Sequence, residues 1–328
     1  MKEYTVSEND AGRRLDKYVM NILKKAPSSF AYKMLRKKNI VLNGKKAGGG
    51  ELLSAGDTVV FYLSDETFSK FSSGEESAED LSHLLPPILY EDDDVLIVNK
   101  PAGMLSQKSE GGSISLNEIC RSYVKSSEAS DAFTPSICNR LDRNTAGLVI
   151  FAKTYRGAKI TAEALRARTI GKFYECVVAG TVSDQMHLSG TLSKNSANNT
   201  VSVGKAEDEG SYIETDFMPV ETNKNLSRLC VHLITGKTHQ IRAHLASVGH
   251  PVIGDYKYGD RKVNDIYKRE FGISSQLLVC NRLSFPEDFG IKGLAGAECE
   301  TDIPDDFKKV MQWHGHQEGS AALRSRNS

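Results

Sequence analysis

Residues 64–87, "SDETFSKFSSGEESAEDLSHLLPP", are acidic, serine-rich and closed by Pro86-Pro87, the composition of a linker rather than of a packed element. That stretch constrains everything else, because the residues on either side of it must then bury separate cores, and two domains suit 328 residues. The formal net charge is zero, yet it is distributed unevenly. Residues 1–63 carry twelve Lys or Arg against six Asp or Glu, a net of +6, whereas residues 64–94 carry one Lys against ten acids, a net of −9. Charge alone fits either a polyanion binder on an acidic tether or a solvated basic face.

Within residues 1–63, "RRLDKYVMNILKK" places Leu15, Tyr18, Val19, Ile22 and Leu23 at helical spacing. A second helix is expected after Pro27, with Ser28 or Ser29 as its N-cap, and its exposed side carries Lys33, Arg36, Lys37 and Lys38. "IVLNGKKAGGGELLSAGDTVVFYL" then holds Asn43-Gly44, a type I′ hairpin signal, and ends in a β-rich run. This order over residues 13–63 resembles the S4 domain, an RNA-binding module, and the resemblance makes Lys33, Arg36 and Lys37 candidate RNA contacts.

From residue 88 to residue 313, β-rich runs such as "VLIVNK", "GLVIFAK", "FYECVVAG", "RLCVHLI" and "QLLVCNRLSF" do not alternate regularly with helices. An α+β domain with a mixed, largely antiparallel sheet is therefore expected, not a doubly wound parallel one. The tail 314–328, "HGHQEGSAALRSRNS", lacks apolar periodicity and is expected to stay disordered. No run approaches the roughly 18 apolar residues of a membrane helix, and the N-terminus lacks a secretory signal, so a cytoplasmic chain is expected. The six cysteines stand singly, and His239 and His244 are five apart, so no metal site is expected.

Three stretches hold the chemistry-bearing side chains. In "YEDDDVLIVNKPAGM", Pro101 should end a strand and open a loop. In "NRLDRNTAGLVIFAK", Asp142 sits between Arg140 and Arg143; in extended chain Arg140 and Asp142 share one side while Leu141 points into the core. By itself that fragment reads as a structural ion pair rather than as a chemical tool, because paired charges also perturb pKa for purely structural reasons. In "LCVHLITGKTHQIRAHLASVGHPVIGDYKYG", Thr238 is expected to cap a helix with an Ile241, Leu245, Val248 stripe, and Arg242 leaves near its start. "TGKT" is not a phosphate loop: G-x-x-x-x-G-K-[ST] needs Gly at 231, where this chain has Val, and G-x-G-x-x-G and G-x-S-x-G are absent.

Taken in order, "YEDDDVLIVNKPAGM", "NRLDRNTAGLVIFAK", "KFY" at 172–174, "GKTHQIRAHL" and "HPVIGDYKYG" resemble the RluA-type pseudouridine synthases, most closely the branch carrying an S4 domain. The resemblance implies isomerisation of uridine in RNA without cofactor or metal, with large-subunit ribosomal RNA as substrate. It implies that Asp142 is the catalytic carboxylate, that Tyr174 packs beside the target base, that Arg242 pairs with the acid and that Arg140 helps to hold the flipped nucleotide. Arg143, Lys172, Thr238, His239 and Gln240 are its further candidate substrate contacts. A carboxylate suits the task, since detaching uracil from C1′ requires an anion that attacks or stabilises the sugar centre, as in glycosidases.

The chain departs from the family pattern at Asn139, Asn144 and Ala146, where His, Asp and Ser are usual. These departures touch details of substrate contact and subgroup more than catalysis. A monomer acting on RNA, with no membrane association and no nucleotide cofactor, is expected. The competing reading from another class is an inactive RNA-binding or ribosome-assembly factor on the same fold, which loss of Asp142 or Tyr174 would favour; both are present.

Overall fold

The computed structural model describes residues 1–72, 79–109, 112–125, 133–195, 200–204, 208 and 210–313, so the tail expected to be disordered lies outside the described residues. The chain begins with β1 (Lys2–Thr5), α1 (Leu15–Ile22), α2 (Ser28–Arg36), β2 (Ile40–Leu42), β3 (Lys45–Lys46), β4 (Thr58–Phe61) and α3 (Asp65–Phe71). Its strands form one antiparallel sheet in the order β1-β4-β2-β3. Asn43 and Gly44 have φ of 49° and 71°, the left-handed pair a two-residue hairpin demands, and they set Leu42 opposite Lys45. Leu15, Tyr18, Val19, Ile22 and Leu23 are all buried in the core beneath this sheet.

Two expectations need correction. The N-cap of α2 is Pro27, and the helix starts at Ser28, so neither serine caps it. The composition-based linker also starts too early: residues 65–71 are helical, Ser64 caps them by accepting from Thr67 N at 3.2 Å, and Phe68 and Phe71 join the first core. Two phenylalanines three apart outweigh the acidic surroundings, because burying each aromatic ring contributes about 1.5–3 kcal/mol.

The remaining elements are β5 (Ile88–Glu91), β6 (Val95–Lys100), α4 (Leu116–Lys125), β7 (Ser136–Ile137), β8 (Ala146–Ala152), α5 (Tyr155–Ala167), β9 (Gly171–Ala179), β10 (Met186–Asn195), β11 (Thr200–Gly204), β12 (Ser211–Thr222), β13 (Leu226–Leu233), α6 (Gln240–Ser247), α7 (Arg261–Phe271), β14 (Leu278–Ser284), β15 (Glu298–Glu300) and α8 (Asp305–Gln312). Among the described residues their strands make an 11-stranded sheet whose main path is β11-β10-β12-β13-β9-β14-β8-β6-β5. Every pairing is antiparallel except β14 with β8, which gives the mixed, largely antiparallel sheet that the irregular strand pattern implies.

That single parallel contact positions the site. Gly147, at φ 116°, lies so close to β14 that a Cβ would fall 2.1 Å from the Cys280 carbonyl oxygen, so only glycine lets the two strands meet there. The loop leading into β8 is thereby held beside β14 and, through it, β9. The N-terminal segment also touches the larger sheet's helices: Arg13, buried and paired with Asp10 at 2.7 Å, lies 5.1 Å from the centre of the Tyr155 ring at the start of α5.

Candidate active site

Asp142 stands in the turn between β7 and β8. Leu141 is 7% exposed and points into the core, as the alternation of an extended segment requires, which turns Asp142 outward. Ser106 clamps this point from both sides, donating to the Leu141 carbonyl at 2.7 Å and accepting from the Leu141 amide at 3.1 Å. Lys100 supports it from below. Fully buried at the end of β6, its Nζ donates to the carbonyls of Pro101, Met104 and Arg143 at 3.0, 2.9 and 3.1 Å. Burial pushes this ammonium down to about 8, against the pull of the nearby Asp142 charge.

The acid is aimed from α6. Arg242 donates through Nη1 to Asp142 Oδ2 at 2.8 Å, and through Nε and Nη2 to Asp255 at 2.6 and 2.9 Å. Burial works against the guanidinium's charge, but Asp255 and then Asp142 outweigh it and raise its pKa. Asp255 also accepts from the backbone amides of Lys257 and Tyr258, so its carboxylate is fully occupied while Asp142 keeps an open side toward solvent. Tyr258 lies with its ring centre 5.2 Å from the Arg242 guanidinium carbon. Its hydroxyl meets His239 Nδ1 at 2.9 Å, and His239 Nε2 stands 3.8 Å from Asp142 Oδ2.

His239, not Thr238, occupies the N-cap of α6, with φ 57° and no side-chain cap bond; Thr238 is exposed. A histidine in the left-handed region is uncommon and costs free energy, and here that conformation keeps the ring beside Asp142. Burial lowers the imidazole's pKa, Asp142 opposing and Arg242 reinforcing, so the ring is neutral near pH 7. His244, by contrast, is buried against Thr215 on the far side of the helix, as the five-residue spacing implies.

Asp142, His239 and Arg242 line one cleft of about 780 Å³, which also takes in Tyr174, Lys172, Arg140, Arg143, Thr238 and Gln240. Tyr174 comes from β9, opposite Val231 and Cys280, and is 5% exposed. Burial raises its phenol well above the ordinary value, with Cys280 and the Asp142 charge adding to the effect, so it stays protonated at neutral pH. Burial lowers the pKa of Lys172. Arg140 is exposed in the cleft lining and makes no hydrogen bond or ion pair among the described residues, whereas Arg143 Nε is held by the Gly103 carbonyl at 3.0 Å.

Four expected contacts are placed differently from the rest. Gln240 touches the cleft, but its amide is fully bonded inward, accepting from Thr235 Oγ1 and Lys237 N and donating to Glu214 O and Thr215 Oγ1, so it braces the loop instead of offering itself to substrate. Lys33, Arg36 and Lys37 lie exposed on and just after α2 and do not line the cleft. Asn139 is explained as well: its amide accepts from Ile150 N at 2.8 Å and donates to Leu148 O at 3.3 Å, anchoring the loop to β8. Lys100 and Asp255 stand in stretches the sequence singles out, but their roles depend on contacts made by the fold, Lys100 with the Arg143 carbonyl and Asp255 with Arg242 on α6.

The arrangement presents a carboxylate beside a cleft of nucleotide size, over a buried aromatic ring, with the exposed Arg140 in its lining. The RNA pseudouridylate synthase family model matches residues 94–247, which contain all of these groups except Asp255 and Tyr258. Ribosomal large subunit pseudouridine synthase C of Vibrio cholerae is 30% identical over 317 residues, covering 94% of this chain and 96% of the relative. This chain belongs to the RluA-type pseudouridine synthases. Ribosomal large subunit pseudouridine synthase D of Yersinia pestis is likewise 30% identical to this synthase, over 268 residues, covering 78% of one and 76% of the other. The fold agrees with that of human RNA pseudouridylate synthase domain containing 4, at a TM-score of 0.56 and 18% identity, covering 70% of this synthase and 93% of the human chain. Among the described residues no helix is long and apolar enough to cross a membrane.

Proposed function

We propose that this synthase isomerises uridines of large-subunit ribosomal RNA, with Asp142 as the reacting carboxylate and residues 1–72 as an S4-type domain that grips the RNA. The observation that carries the proposal is the asymmetric sharing of Arg242: Asp255 holds two of its nitrogens in the interior, and the third orients an Asp142 that still faces the cleft.

The reaction breaks N1–C1′ and forms C5–C1′; C5 loses a proton and N1 gains one, so product and substrate have the same composition. Asp142 supplies the negative charge that attacks C1′ or stabilises its developing cation. Arg242 fixes the direction of that attack, because its own position is set by Asp255 rather than by substrate. Tyr174 offers a ring face to the base, worth on the order of 1 to 3 kcal/mol where bases stack on aromatics, and an O–H donor, not a phenolate. Arg140 is placed to meet phosphate. The names of the curated relatives support the ribosomal substrate, and the basic side of α2 with its adjoining four-stranded sheet supports the S4 assignment.

The test is a pseudouridine map of total RNA from cells with and without this chain. Loss of sites confined to large-subunit ribosomal RNA is the expected result. Loss of sites only in another RNA would overturn the substrate, and unchanged maps would overturn the activity.

A further inference from the structure

A second cavity, of about 290 Å³, adjoins the first and shares Asp142, Arg143, His239 and Arg242 with it. Its remaining wall is polar. Lys257 adds a positive charge to that of Arg143, and Ser274, Ser275 and Gln276 approach from the segment before β14. Asp255, the other acid in the wall, is saturated by Arg242 and two backbone amides and so does not repel an anion strongly. Tyr256, 40% exposed, is part of the lining.

We infer that this cavity receives the nucleotide next to the target uridine in the RNA strand, and that it makes the enzyme sensitive to that neighbour's identity. The inference rests on the RNA reading above and deepens it. If the target's C1′ meets Asp142 from the first cleft, the strand has to continue past the same residue, and Asp142 lines both cavities together with Arg143, His239 and Arg242. Arg143 and Lys257 then meet the intervening phosphate, which fixes register, and the serine hydroxyls together with Gln276 meet a base edge, which carries sequence information. Gln276, in the cavity wall, donates through Nε2 to Thr145 Oγ1 at 3.1 Å, and its amide oxygen is an acceptor.

The experiment measures equilibrium affinity of the full chain for a short RNA containing one target uridine, with each neighbouring nucleotide intact or replaced by an abasic residue, and scores pseudouridine formation on the same RNAs. The unchanged protein should bind the intact RNA about tenfold more tightly than the RNA abasic at one of the two neighbours. Ser274→Trp, at an exposed position of the wall, should fill the cavity and bring that ratio to within about twofold of one. Lys257→Ala should lower the slope of log affinity against log salt by about one. A ratio near one in the unchanged protein, or a tenfold ratio that survives Ser274→Trp, would overturn the inference. Absence of pseudouridine with every RNA would instead overturn the activity, and the affinity ratio would still decide the fate of the cavity.

Discussion

The cations on α2 and the cation on α6 have opposite surroundings. Lys33, Arg36 and Lys37 stand exposed on a module whose own core is closed beneath them, free to follow any phosphate that approaches. Arg242 is 7% exposed, shared between two carboxylates and covered by an aromatic ring, and it has one orientation. The first kind of charge acts through counterion displacement, weakens with salt and tolerates replacement. The second is shielded from salt, depends on geometry, and is costly to disturb. On the proposed function, grip and chemistry are given to different regions of the same chain.

The largest expected effect is at Asp142. Asp142→Asn keeps the shape and removes the charge, so pseudouridine formation should become undetectable while RNA affinity stays within a few fold. Stability should fall by only about 1 kcal/mol, because Arg242 retains Asp255 as its counter-charge. A thermal unfolding curve measured beside the activity checks both halves; activity lost only in proportion to unfolded protein would mean the acid is a strut.

Next comes the partner that faces inward. Asp255→Ala leaves Arg242 and two backbone amides short of an acceptor in a buried position, and should cost about 3 to 5 kcal/mol in chemical denaturation. Equal stability losses from Asp142→Asn and Asp255→Ala would erase the distinction between the acid that reacts and the acid that holds.

Lys100 gives a pH signature of intermediate size. Its pKa is lowered to about 8 in the folded protein from 10.5, so below pH 8 both states hold the proton and the buried charge destabilises the fold. Between about pH 8 and 10.5 the unfolded chain binds more protons, and stability should rise with pH, by on the order of 1 to 3 kcal/mol relative to Lys100→Met. Denaturant midpoints of the two proteins across that window decide it; a difference that does not change with pH would remove Lys100 as a buried charge beneath the loop.

The smallest effect belongs to the exposed cations. Replacing Lys33, Arg36 and Lys37 together with alanine should weaken RNA binding about tenfold near physiological salt and reduce the salt slope by about 2 to 3, with stability unchanged within about 0.5 kcal/mol. Filter binding over a salt series would show this, and an unaltered slope would take RNA off that helix.

Local patterns were readable in the sequence where a short stretch contains its own cause. The helical spacing of Leu15, Tyr18, Val19, Ile22 and Leu23, the Asn43-Gly44 turn and the inward Leu141 all follow from neighbours within a few residues. Asp142 and Arg242 were both visible as candidates, because each sits in a motif. Asp255 and Lys100 were not, since what defines them is burial against groups brought close by the sheet: Asp255 by α6, and Lys100 by three loop carbonyls. Composition misled at α3, where acid and serine residues hide Phe68 and Phe71, and at Thr238, where the left-handed turn at His239 displaces the expected cap by one residue.

The division of labour can be tested directly by steady-state kinetics of pseudouridine formation on ribosomal RNA across a salt series, for the unchanged protein. Grip through exposed charge predicts that KM rises steeply with salt, while kcat, governed by the shielded Asp142, Arg242 and Asp255 group, stays within about twofold between 50 and 200 mM. A kcat that falls in parallel with affinity over that range would contradict the account.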